Sequence, residues 1–186
     1  MKHFLSALIV FATTLAYSQG EDNSLKGVPF KERIVTGGGF GLGFGSNADF
    51  ISVSPQVGYM LTQKIMAGTG FTYRYTNYKF VKPSIKLNDY SINPFARYNV
   101  YENFFLQAEY EYLNFELPVS LNETTREDFN SFLAGGGIIQ PLGDRVSLFI
   151  MALYNFSYVT PKAGEYAPYD SPIVFRIGVN AGGFSF

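Results

Sequence analysis

From Tyr101 to Leu117 the chain reads YENFFLQAEYEYLNFEL, and there Gln107, Glu109 and Glu111 alternate with Leu106, Ala108, Tyr110 and Tyr112. Successive side chains on a strand point to opposite faces, so a period of two puts three polar groups on one face and an aromatic row on the other. The same alternation recurs about every eighteen residues, with turn residues between. It predicts eight strands: Arg33–Phe44, Asp49–Tyr59, Ile65–Thr76, Asp89–Val100, Phe104–Phe115, Phe129–Gln140, Val146–Ser157 and Ser171–Phe186. No stretch after the first eighteen residues has the periodicity of an amphipathic helix.

The two faces differ in kind. One carries Ile51, Val53, Val57 and Tyr59; Phe71, Tyr73 and Tyr75; Ile92, Tyr98 and Val100; Leu148, Ile150 and Tyr154; Ile173, Phe175, Ile177 and Val179. The other carries Ser52, Ser54 and Gln56; Gly68, Gly70, Thr72 and Arg74; Ser91, Asn93, Arg97 and Asn99; Gln107, Glu109 and Glu111; Arg176, Gly178 and Asn180. A water-soluble barrel has an apolar interior and a polar exterior. Charges flanked by glycine and serine suit a crowded interior, and the unbroken apolar face suits lipid. Aromatic residues make up 18% of the chain, with 14 tyrosines and no tryptophan, and the tyrosines gather at strand ends as interfacial girdles do.

The connections support the same reading. Met60–Lys64, Tyr101–Asn103 and Pro141–Arg145 are tight, whereas Asn77–Asn88, Glu116–Asp128 and Tyr158–Asp170 are long and polar, with Gly45–Ala48 a short exception. Each predicted strand is long enough to cross a bilayer when tilted, which takes about 9–11 residues. Short turns on one side and long loops on the other mark an outer-membrane barrel. The predicted fold is therefore all-β: an eight-stranded antiparallel up-and-down transmembrane β-barrel. An even strand count places both termini in the periplasm and the long loops outside the cell. Before the barrel, Lys2 and His3, the apolar run Phe4–Ala16 and Ala16-Tyr17-Ser18 predict a signal peptide over 1–18. Residues 19–32 read as a polar periplasmic lead-in and 33–186 as the barrel.

Residue chemistry removes several functions. There is no cysteine, and the only histidine, His3, lies in the predicted signal peptide. Thiolate chemistry, imidazole ligands and a histidine base are thus absent from the predicted mature chain. That chain has 13 Lys+Arg against 15 Asp+Glu, so 13 − 15 = −2, with no clustered positive charge for nucleic acid. No cofactor is expected. Eight strands enclose an interior that side chains can fill, so Glu109 and Glu111 are expected to meet Arg74, Arg97 and Arg176 there in a packed ionic network. The run GGGFGLGFG, Gly37–Gly45, lacks the Lys-Ser/Thr and the helix of a phosphate loop, and reads as interior glycines beside outward Phe40, Leu42 and Phe44. NETTRED, Asn122–Asp128, holds a glycan sequon and acids that could serve calcium, and reads better as a solvated loop.

On these residues the sequence resembles the small eight-stranded outer-membrane barrels of the OmpA/OmpX type, and more closely the outer-membrane β-barrel or porin-family proteins of Bacteroidota. The resemblance rests on AYS before Gln19, the eight-strand rhythm, and the ending FRIGVNAGGFSF. It implies that Phe184 and Phe186 form a signal for the barrel-assembly machinery, with Gly182-Gly183 hosting a bulge that corrects their parity. It implies contact with outer-membrane lipid and lipopolysaccharide, and with other outer-membrane proteins. The expected role is non-enzymatic: a structural or docking component with a filled lumen. The alternatives are an accessory subunit of a larger outer-membrane complex, a narrow channel, and a lipid-modifying barrel enzyme, against which the absent histidine counts.

Overall fold

The computed structural model describes residues 24–44, 48–79, 82–120, 123–160, 168–169 and 171–182. These residues form eight strands: β1 (Ile34–Phe44), β2 (Ala48–Met60), β3 (Ile65–Tyr78), β4 (Ile85–Tyr101), β5 (Phe104–Ser120), β6 (Glu123–Gly143), β7 (Val146–Asn155) and β8 (Ile173–Gly182). Each pairs antiparallel with its neighbours in chain order, and β1 pairs with β8 to close the barrel. No helix among the described residues is long and apolar enough to cross a membrane. The predicted signal peptide, Phe184 and Phe186 lie outside the described residues, as does Gly183. Gly182 itself has φ +89°, a conformation open chiefly to glycine, and its N–H donates to the Arg145 carbonyl at 2.9 Å.

The predicted faces match the burial pattern. Along β4, Ser91, Asn93, Phe95 and Arg97 are buried, while Tyr90, Ile92, Pro94 and Ala96 between them are exposed. Ile92 is 49% exposed and Asn93 only 2%. Around the wall, Phe71, Leu106, Tyr110, Phe132, Ile150, Phe175 and Ile177 all face outward. In β6, whose parity is blurred by Gly135–Gly137, the inward set is Ser131 and Leu133 and the outward set includes Phe132 and Ile138.

The expected loop boundaries need correction: Asn77–Asn88 is ladder at both ends, with Asn77 paired to Lys86 and Tyr78 to Ile85. The stretch Glu116–Asp128, expected as a loop, is mostly ladder: Glu116 pairs with Arg126, Leu117 with Thr125 and Pro118 with Thr124. On the β6 side Glu123–Asp128 is exposed on both faces, so no alternation marks it as strand. Pro118 is tolerated because β4 pairs with β5 only as far as Tyr90–Asn114, and no partner on that side needs its missing N–H. The described part of the segment before β1 packs on the barrel. Leu25 is buried against Val35, Met60, Met66 and Phe95, with Val28 packed beside them. Arg33 holds this turn in place, its Nε donating to the Val28 carbonyl at 3.1 Å. The segment folds into the mouth of the barrel on the side of the tight turns.

Candidate functional site: the barrel interior

The register of the ladders decides which interior groups meet. Arg97 and Gln107 are directly opposed across β4 and β5, and Arg97 Nε donates to Gln107 Oε1 at 2.9 Å. Gln107, Glu109 and Glu111 are successive inward positions of β5, so Gln107 Nε2 reaches Glu109 Oε2 at 2.9 Å. Arg176 on β8 crosses the interior to the same carboxylate: Nη1 donates to Oε2 at 3.1 Å and Nη2 lies 2.6 Å from Oε1. Glu111 stands 4.0 Å from Arg176 Nη2, accepts from Asn93 Nδ2 at 3.0 Å, and accepts from the Tyr169 hydroxyl.

Of the five residues expected to form one network, the structure joins Arg176 directly to Glu109 and Glu111, joins Arg97 to Glu109 through Gln107, and leaves Arg74 elsewhere. Arg74 is opposed to Asp89 across β3 and β4 and pairs with it, Nε to Oδ2 at 2.9 Å. The sequence pattern marks Asp89 only as a strand boundary, and the β3–β4 register reveals its partner. Arg97 meets aromatic rings instead of a carboxylate: its guanidinium carbon lies 4.2 Å from the Phe105 ring centre, 5.3 Å from Phe149 and 5.8 Å from Phe95.

The interior is layered rather than uniformly ionic. On the turn side, Phe105, Leu133, Phe149, Met151 and Leu153 form a buried apolar cluster, with Arg97 stacked on its aromatic members. Above it lies the Glu109–Arg176 pair. On the loop side a cavity of about 410 Å³ remains, its wall including both polar groups such as Arg74, Asn93 and Glu111 and apolar ones such as Phe95, Leu113 and Met151. Side chains therefore seal the turn-side half and leave the loop-side half partly open. Phe105, Phe149 and Met151 were missed because the flanking positions in β5 and β7 are apolar too, so hydrophobicity alone does not tell inside from outside.

Beyond the last β4–β5 pair, Tyr90–Asn114, the β5–β6 extension is tied down by charge. Glu116 Oε2 accepts from the Asn88 backbone N–H at 2.6 Å, Oε1 accepts from Thr124 Oγ1 at 2.8 Å, and Arg126 Nη2 lies 3.6 Å away. Burial alone would raise the Glu116 pKa, but these hydrogen bonds and Arg126 outweigh it and hold the carboxyl below its usual range. Among the described residues no group of three or more His, Cys, Asp or Glu is placed to hold a metal ion.

The fold thus defines a closed, eight-stranded, up-and-down barrel with an apolar outer wall and enclosed charged groups above an apolar layer. No protein family matches the chain, and no curated protein matches it. Among solved structures it is similar to the N-terminal β-barrel domain of Pseudomonas aeruginosa OprF, with 14% identity and a TM-score of 0.45, over 80% of this chain and 96% of that one.

Proposed function

We propose that this chain is an integral outer-membrane barrel with a non-enzymatic, structural or docking role. One observation carries the reading: large apolar side chains are exposed around the whole wall, while arginine and glutamate side chains are enclosed. An apolar surface of that extent in water would drive aggregation, and in hydrocarbon it is the favoured arrangement. A closed barrel also satisfies its backbone hydrogen bonds without an edge, as a bilayer requires. Tyr101 and Phe104 near the turns and Tyr90, Tyr112 and Tyr154 nearer the loops supply two aromatic belts between which the lipid band would lie. In this orientation the turns and termini are periplasmic and the loops extracellular. The lipid-facing wall meets lipid and lipopolysaccharide, and insertion depends on the barrel-assembly machinery.

The sealed turn-side half argues against a channel, and the Glu109 and Glu111 carboxylates are engaged by arginine, amide and tyrosine hydroxyl groups, which favours a structural role for them. The β5–β6 extension, carried past the lipid band on a rigid scaffold, is the surface for docking other outer-membrane proteins. Purified protein is expected to run at different apparent masses unboiled and boiled, and to conduct negligibly in planar bilayers. A mature chain that stays soluble without detergent, or steady large openings, would overturn the proposal.

A further inference from the structure

On the loop side β1 and β8 separate. Their ladder ends at Gly39–Gly178, although β1 runs on to Phe44 and β8 begins at Ile173. Continuing the register would oppose Phe40 to Ile177, Gly41 to Arg176 and Leu42 to Phe175, and none of these pairs forms. Neither strand is loose there, because Gly41 pairs with Ser52 on β2 and Phe175 pairs with Ala152 on β7. A Cβ on Gly39 would stand 2.9 Å from the Ile177 carbonyl, whereas the three atoms nearest a Cβ on Gly41 all belong to β2. Among the described residues, the wall therefore has a seam that opens from Gly39 toward the loops.

The loop-side cavity reaches this seam. Its lining includes inward Arg74, Asn93 and Arg176 together with outward Phe40, Leu42 and Phe175. A space shut inside an unbroken wall could not touch side chains on the lipid face, so the cavity passes between the two strands. Gly41, without a side chain, leaves the passage open on the β1 side. Ile173 pairs with Tyr154 of the loop-side aromatic belt, so Phe175 and Ile177 lie below that belt, at the depth of lipid chains. Inside, the accessible charge is positive. The Arg74 and Arg176 side chains are 29% and 25% exposed, against 3% for Asp89, 1% for Glu109 and 5% for Glu111.

We propose that the seam is a lateral portal that binds a single-chain amphiphile with an anionic head, carboxylate or phosphate, drawn from the surrounding lipid. The inference rests on the membrane reading above. The head enters the cavity and meets the accessible guanidinium faces, while the chain leaves through the seam and lies along Phe40, Leu42 and Phe175. Asp89 takes Nε and Nη2 of Arg74, and the head takes donors of Nη1. Arg176 faces the same space while holding Glu109. The enclosed carboxylates are covered by their own donors, so they present little negative surface to an incoming anion. The cavity volume of about 410 Å³ falls in the range of roughly 300–1,000 Å³ usual for small-molecule sites. The outer lip is one row of side chains on each strand, which suits one acyl chain rather than two.

The test uses the full folded chain in phosphatidylcholine bilayers, free of single-chain detergent, at alkaline pH. The probe is hexadecanoate with a photoreactive diazirine on its chain, and adducts are mapped by mass spectrometry. Adducts should concentrate at Phe40–Leu42 and Ile173–Ile177, well above those at Phe71 and Leu106 on the opposite wall. A phosphatidylcholine with the same diazirine should label the wall without that excess. Unlabelled hexadecanoate should remove the seam adducts and hexadecanol should not. A monoacyl phosphate ester in a parallel arm separates the head groups: stronger competition than hexadecanoate assigns phosphate, weaker competition carboxylate. Arg74→Gln/Asp89→Asn, which removes the cation together with its partner, should weaken competition by hexadecanoate about tenfold. Gly41→Phe/Ser52→Gly, which moves bulk into the passage, should abolish the seam excess. The difference between unboiled and boiled bands, measured on every variant, reports folding independently of binding. Even labelling around the wall, seam adducts that unlabelled hexadecanoate does not remove, or equal competition by hexadecanol would overturn the portal while leaving the barrel reading intact. A chain that does not insert into the bilayers would overturn both.

Discussion

Arg176 on β8 and Glu109 on β5 meet across the interior, Nη2 to Oε1 at 2.6 Å, although 67 positions separate them in the chain. That contact is too poorly aligned for a hydrogen bond, and the Nη1–Oε2 bond at 3.1 Å supplies the direction. Removing one member of a buried pair strands the other charge, which costs about 3–5 kcal/mol. Glu109→Leu should therefore lower the urea midpoint of the folded band sharply. The double variant Glu109→Leu/Arg176→Leu should recover much of the loss, and Tyr110→Leu, on the outward face, should change it little. Equal sensitivity at Glu109 and Tyr110 would mean the two faces are assigned the wrong way round.

Glycines and aromatic rings interlock inside the wall, and this sets a second expectation. A Cβ on Gly137 would stand 2.7 Å from Phe105 Cζ, and one on Gly178 only 2.6 Å from Phe149 Cζ. Neither ring can retreat, because both lie in the buried apolar cluster. Gly137→Val should fail to give a folded unboiled band, since overpacking costs about 1–3 kcal/mol even where neighbours can shift. Gly143→Ala, with nothing within 4 Å of its added methyl group, should fold as the wild type does.

Acid should loosen the β5–β6 extension before the barrel. The Glu116 pKa is depressed in the folded state. Its contribution is therefore complete above the unfolded value near 4.5 and is lost as pH falls below that towards the folded value. The hydrogen-exchange protection of the Asn88 amide, relative to its intrinsic rate at each pH, should fall over that window in the wild type. In Glu116→Gln the same amide should exchange faster at neutral pH and show a much flatter pH response. An Asn88 amide that ignores both changes would refute the anchoring role.

The turn-side seal makes a prediction about conductance. Phe149 belongs both to the buried cluster and to the rings around Arg97. Phe149→Ala should introduce brief openings in planar bilayers where the wild type shows almost none, with a stability loss of about 3–5 kcal/mol. Unchanged conductance in a folded variant would place the barrier elsewhere.

The period-two pattern made the fold and the facing of most strands readable, because lipid and a polar interior impose opposite demands on adjacent residues. Three things escaped it. Glu123–Asp128 is exposed throughout, so the strand it forms has no alternation to betray it. In β7 the outward facing of Ile150 and Tyr154 was legible, but the inward Phe149, Met151 and Leu153 carry no polar mark, so the apolar layer they build inside was not. Pairings such as Arg74 with Asp89 depend on register across a hairpin, which composition does not carry.

The closure between β1 and β8 has a kinetic side. Its described ladder runs five pairs, from Val35–Gly182 to Gly39–Gly178, against eleven between β1 and β2. Val35 must wait for a partner 182 − 35 = 147 positions downstream, the slowest kind of contact to make. Until then β1 carries an open edge, and an open edge invites pairing with other chains. Its sequence IVTGGGFGLGF contains five glycines, a composition with weak strand preference and therefore a poor template for strangers. The same weakness makes this seam the last joint of the wall to set, and the first at which it can part.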